Sequence, residues 1–137
     1  MTDEGPGKAV ASYEILARFI LFNRWIRNDG TVKPDAFIPH PYPDLSVTRL
    51  KYLPEQEVWR IGQSIAGARP ATLYGRADIP AAEARRRTLD VEPRPVADNP
   101  NHAVVVGWPD DRPAQKIIAQ ELAVEARFVP RPPPASG

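Results

Sequence analysis

The apolar positions of the first long element step as a helix steps. In SYEILARFILFNRWIRNDG, Ile15, Phe19, Phe22 and Ile26 recur at intervals of four, three and four, while Arg18, Arg24 and Arg27 fall off that stripe. The period predicts a helix capped by Ser12 and stopped at Asn28-Asp29-Gly30. A second reading stays open: Asp29-Gly30 is also a hairpin signal, which would make ILARFILF a strand. Four prolines between Pro34 and Pro43 then preclude a helix, and AFIP and LSVTRL read as short extended pieces. Leu53–Gly67 is the clearest helical pattern. Pro54 stands near its start, Glu55 and Glu57 fall in its first turn, Val58, Ile61 and Ile65 form its stripe, and Gly67 can close it.

Past this helix the pattern alternates. ATLYGRADI reads as a strand, PAAEARRR as a short helix entered at Pro80, and LDVEP as another extended piece. HAVVVGW is the most convincing strand. Its run of small apolar residues lacks alternation, so both faces should be covered. A last helix is expected from Arg112 to about Arg127, capped by Asp110 or Asp111, with Pro113 in its first turn and Ile118, Leu122 and Ala126 facing inward. No internal repeat is visible. The fold class predicted is α+β: one small domain over residues 12–129, with a mixed or mostly antiparallel sheet packed by two longer helices. Residues 1–11 read as a disordered arm and residues 130–137 as a flexible proline-rich tail, since neither carries a periodic pattern.

Composition narrows the function classes. The chain has 137 residues, the size of one domain, and 17 prolines, about 12% against an ordinary ~5%, which punctuate short elements. Eighteen basic and 17 acidic residues give a net charge of +1. That balance supplies no bulk electrostatic case for nucleic-acid binding, which stays possible without being favoured. With no cysteine, disulfides, thiolate zinc sites and cysteine nucleophiles are excluded, and a reducing cytoplasm is the compartment that fits. The polar start MTDEGPGKAV is unlike a signal peptide, and the longest apolar run, FILF, is too short to span a bilayer, so a soluble protein is expected.

Candidate chemistry centres on few residues. His102 follows Asn99-Pro100-Asn101 and opens the HAVVV strand. It is read first as structural, satisfying a backbone group at the strand's mouth, and second as a general base or phosphate contact. Arg18 and Arg49 sit within apolar segments, so each needs a carboxylate or an anionic ligand. Ser46 could form a triad with His102 and an aspartate, although no spacing selects it over Ser12 or Ser64. A metal site would have to combine His40 and His102 with Asp44 or Asp98 from unrelated segments, so neither metal nor cofactor is expected. Arg85-Arg86-Arg87 is the only basic run, with Tyr74, Arg76 and Arg94 near enough in sequence for a modest patch; a solvated helix end is the preferred reading. The isolated glycines match no phosphate cradle.

LARFI (Leu16–Ile20), Ala36-Phe37, LSV (Leu45–Val47), LDVEPRP and NPNHAVVVG occur in this order. In this the chain resembles a widespread family of small uncharacterised bacterial proteins with an arginine-bearing N-terminal segment, an AF…LSV segment and a late Pro-x-His-Ala strand. The resemblance spans roughly residues 16–127 and implies that this stretch is a complete domain. The family has no assigned activity, so it implies no catalytic residue. The function expected is therefore a non-enzymatic interaction or accessory protein with a protein partner. The alternative is a small enzyme or nucleotide- or nucleic-acid-binding protein that uses Arg18, Ser46, Arg49 and His102 on a phosphate-bearing ligand.

Overall fold

The helical stepping of the first segment is misleading: Ile15–Ile20 is a strand, β1. In the computed structural model, which describes residues 7–40 and 43–133, Leu16 and Ile20 enter one core cluster while Phe19 and Leu21 enter another. Successive strand residues point to opposite faces, so β1 is apolar on both sides because both sides are covered. Of the four residues on the supposed helical stripe, Ile15 and Phe22 are each 38% exposed. The alternative strand reading is the one the structure takes.

Five more strands join β1: β2 (Leu45–Arg49), β3 (Gly75–Pro80), β4 (Asp90–Pro93), β5 (His102–Val106) and β6 (Arg127–Pro130). They form one six-stranded antiparallel sheet in the order β4-β5-β2-β1-β3-β6. The helices are α1 (Glu55–Ala68), α2 (Ala81–Arg86) and α3 (Arg112–Glu125), and short 3₁₀ turns stand at Asn23–Trp25 and Pro34–Phe37. The architecture is α+β, as expected, and the two longer helices pack on opposite faces. Val58, Ile61 and Ala66 of α1 meet Phe19, Leu21 and Leu73 on one face. On the other, Leu122 of α3, Ala84 of α2 and Phe37 pack with Leu16, Ile20, Leu45, Ile79, Val91 and Val105.

Local signals set the helix ends. Pro54 precedes α1 in extended conformation, and Glu55 and Glu57 occupy the first turn, where negative charge suits the helix dipole. Asp111 caps α3 by accepting from the Ala114 N–H at 3.1 Å. Gly62 lets α1 sit close on the sheet, because a Cβ there would meet Phe19 Cε1 at 2.6 Å. α3 stops at Glu125, two residues before its expected end, because Arg127 already belongs to the edge strand β6. Gly75 permits that pairing: a Cβ would lie 2.5 Å from the Val129 carbonyl oxygen.

The terminal segments are partly built into the fold. In the expected arm, Val10 is buried in the larger core cluster, and the Lys8 and Ala9 carbonyls accept from Arg49. In the expected tail, Pro130 ends β6, and the Arg131 N–H donates to the Tyr74 carbonyl at 3.0 Å. Periodicity is silent about both ties, because each depends on a partner far away in sequence. Residues 1–6 and 134–137 of these two segments lie outside the described residues.

Candidate functional site

The sheet has a seam. β1 pairs with β3 along all six of its residues, from Ile15↔Pro80 to Ile20↔Gly75. Its pairing with β2 is registered only at Leu16↔Arg49 and Ala17↔Thr48. Continued, that ladder would set Phe19 opposite Ser46. The Ser46 carbonyl instead accepts from Nη1 of Arg18 at 3.2 Å, while Arg18 Nε donates to the Ala36 carbonyl at 2.8 Å. The guanidinium thus ties β2 to the Pro34–Phe37 turn where the strands part. Trp25 lies 5.6 Å from its central carbon, within cation–π range.

A crevice of about 40 Å³ opens at this seam. Ala17, Phe19, Leu21 and Val47 supply apolar wall, and Ile65 and Arg69 overhang it from the C-terminal end of α1. Arg18, Ser46, Thr48 and His102 complete the lining. Ala17, Thr48 and His102 form a row across three strands, since Ala17 pairs with Thr48 and Thr48 with His102. The antiparallel order therefore sets residue 102 in line with residue 17, with Thr48 between them.

His102 is oriented by backbone. Its N–H donates to the Asn99 carbonyl, its carbonyl accepts from the Arg94 N–H, and Nδ1 lies 2.8 Å from the Arg94 carbonyl. A carbonyl only accepts, so Nδ1 carries the proton and the neutral ring keeps its lone pair on Nε2. Asn99 supports the same corner: it is buried and donates through Nδ2 to Thr48 Oγ1 at 2.9 Å. Ala103, Val104 and Val105 are all buried, the two-sided burial their lack of alternation implied.

The crevice is electrostatically one-sided. Its lining holds two guanidinium groups and no carboxylate, and among the described residues no carboxylate pairs with Arg18 or Arg69. Burial, and then the neighbouring charge of Arg69, push the Arg18 pKa down to about 10. The arginines that build the fold are arranged differently. Arg49 is buried against Glu14, with Nε and Nη2 each donating to a carboxylate oxygen at 2.8 Å. Burial pushes the Glu14 carboxyl up, yet the bonds from Arg49 and from the Ala11 N–H outweigh it and leave the carboxyl below its usual range. Arg76, buried in β3, is held by Asp78 and Glu55 beneath the Trp59 ring.

Of the four residues expected to form a site, Arg18, Ser46 and His102 come together in the crevice, and Arg49 is spent on the Glu14 pair. Arg69 had no sequence signal, since it looks like any cation closing a helix. The basic run is neutralised locally: Arg85 pairs with Asp90, Arg86 with Glu83, and Arg87 with Glu83 and Glu121. Its proposed companions are scattered, Arg76 in β3 and Arg94 beyond β4 at the other side of the sheet. Ser46 and His102 share the crevice without an aspartate, so the triad lacks its third member there. Among the described residues no three histidine or carboxylate side chains gather as a metal site, and no helix is long and apolar enough to cross a membrane. No family model, no curated protein and no solved structure matches the chain.

Proposed function

We propose that this domain binds a small anionic ligand in the crevice between β1 and β2. One observation carries the reading: Arg18 is a half-buried cation beside a cavity, held by two carbonyls and unpaired with any described carboxylate, while the buried Arg49 and Arg76 both have carboxylate partners. A charge partly withdrawn from water without a counter-charge carries a desolvation cost, and an anion in the crevice would offset it. Arg69 adds a second cation at the α1 end, and the Ser46 hydroxyl adds a neutral polar group. The reading is one of binding rather than turnover, because among the described residues the crevice lining supplies no carboxylate beside Ser46 and His102 to complete a nucleophile. A cysteine-free chain of this kind suits the reducing cytoplasm, where we place it.

The test is thermal unfolding against a panel of anions at fixed ionic strength. A ligand that binds only the folded state raises Tm with its concentration. At least one small oxyanion should raise Tm saturably, and Arg18→Gln should remove the effect. A flat response to every anion would overturn the proposal. A second reading, docking of a protein partner, is favoured by α3, whose Ile117 and Val124 lie two turns apart and are 59% and 79% exposed. Ile117→Lys with Val124→Lys would then abolish partner capture while leaving the anion response intact.

A further inference from the structure

We infer that the anion taken by the crevice is a phosphate monoester rather than a carboxylate, an inference that rests on the binding reading above. The first argument is charge. Two guanidinium groups line the cavity, on β1 and at the end of α1, with no carboxylate in the lining to neutralise either. A singly charged carboxylate would compensate one of them. A phosphate monoester carries a charge between about −1.5 and −2 near neutral pH and compensates both.

The second argument is the geometry of the donors. Arg18 has spent Nε on Ala36 and one bond of Nη1 on Ser46, which leaves Nη2 as its uncommitted nitrogen. Arg69 approaches from the helix above the seam, and Ser46 and Thr48 bring hydroxyls from β2. Thr48 Oγ1 already accepts from Asn99, so its own hydrogen is the one left to give. These donors come from three elements, β1, β2 and the end of α1, and so reach the crevice from more than one side. A carboxylate presents two coplanar oxygens, whereas a phosphate monoester presents three oxygens around a tetrahedral centre and can meet donors from all these sides. The third argument is the wall. Phe19, Leu21 and Ile65 leave an apolar lip, which suits the carbon substituent of an ester better than the polar hydroxyl of inorganic phosphate.

Isothermal titration with three small ligands separates the possibilities: methyl phosphate, tetrahedral and doubly charged; methyl sulfate, tetrahedral and singly charged; and acetate, planar and singly charged. The expected result is that methyl phosphate binds at least tenfold more tightly than the other two. Arg69→Gln, at an exposed position that should leave folding unaffected, should reduce that advantage at least fivefold while the protein keeps its circular dichroism spectrum. Acetate binding as tightly as methyl phosphate would overturn the phosphate assignment and leave the anion reading standing. Failure of all three ligands to bind would overturn both. A methyl phosphate preference unchanged in Arg69→Gln would show that the second charge is not read by this site, and the inference would fall.

Discussion

Replacing Glu14 by glutamine keeps the side chain's shape and removes one charge from a buried pair. Glu14 is 3% and Arg49 5% exposed, so water screens neither. Two guanidinium bonds of 2.8 Å would each lose their ionic partner, and the Ala11 N–H, also at 2.8 Å, would meet a weaker acceptor. Bonds to charged groups contribute about 1.5–3 kcal/mol each, and breaking a buried pair from one side costs about 3–5 kcal/mol. Glu14→Gln should therefore lower the unfolding free energy by about 3–5 kcal/mol in urea melts, a large share of the roughly 5–15 kcal/mol that holds a typical domain. The double variant Glu14→Leu with Arg49→Met removes both charges. It should lose less than the sum of the single variants, with a residual cost because the Lys8 and Ala9 carbonyls lose their donor. Acid provides an independent check of sign. The Glu14 carboxyl is held below its usual value in the fold, so its contribution is full above the unfolded value of 4.5 and disappears as pH falls through the lower folded value. Glu14→Gln should remove that component of acid sensitivity. A loss under about 1 kcal/mol in Glu14→Gln would mean the pair behaves as a surface bridge, and the burial argument would be refuted.

Four further outcomes test the packing. Ile61→Ala, at a 2% exposed position of α1, should cost about 2–5 kcal/mol in chemical unfolding. Gly62→Ala should cost about 1–3 kcal/mol, because its methyl would drive into the buried Phe19 ring, and an unchanged melting curve would mean α1 rides further from the sheet. In Gly75→Ala the obstacle is backbone, so the edge strand should detach; hydrogen exchange at Arg127–Val129 should quicken while exchange in β5 stays slow. Thr88, a β-branched residue at φ 62°, follows α2 where glycine would be unstrained; Thr88→Gly should raise stability by about 1 kcal/mol, read as a higher Tm.

The chain's own pattern carried the elements whose signal is local. Pro54, the two glutamates and the Val58–Ile61 stripe specify α1 wherever it packs, and Asp111 with Pro113 starts α3 by capping chemistry alone. The HAVVV run announced a strand covered on both faces, since four small apolar residues without alternation have no solvent side. The first segment failed for the same physical reason. LARFILF is also covered on both faces, but its larger side chains happen to step at helical intervals, and only the packing of α1 on one face and α3 on the other decided for a strand. β6 was hidden because a four-residue edge strand draws its stability from β3, not from its own composition. The candidate site divides likewise. An arginine set within an apolar segment needs an anionic partner, and that much is legible at Arg18 and Arg49. Which one meets a glutamate and which one faces an open crevice depends on the register of β1 against β2. Arg69 joins Arg18 only because α1 ends above the place where that register stops.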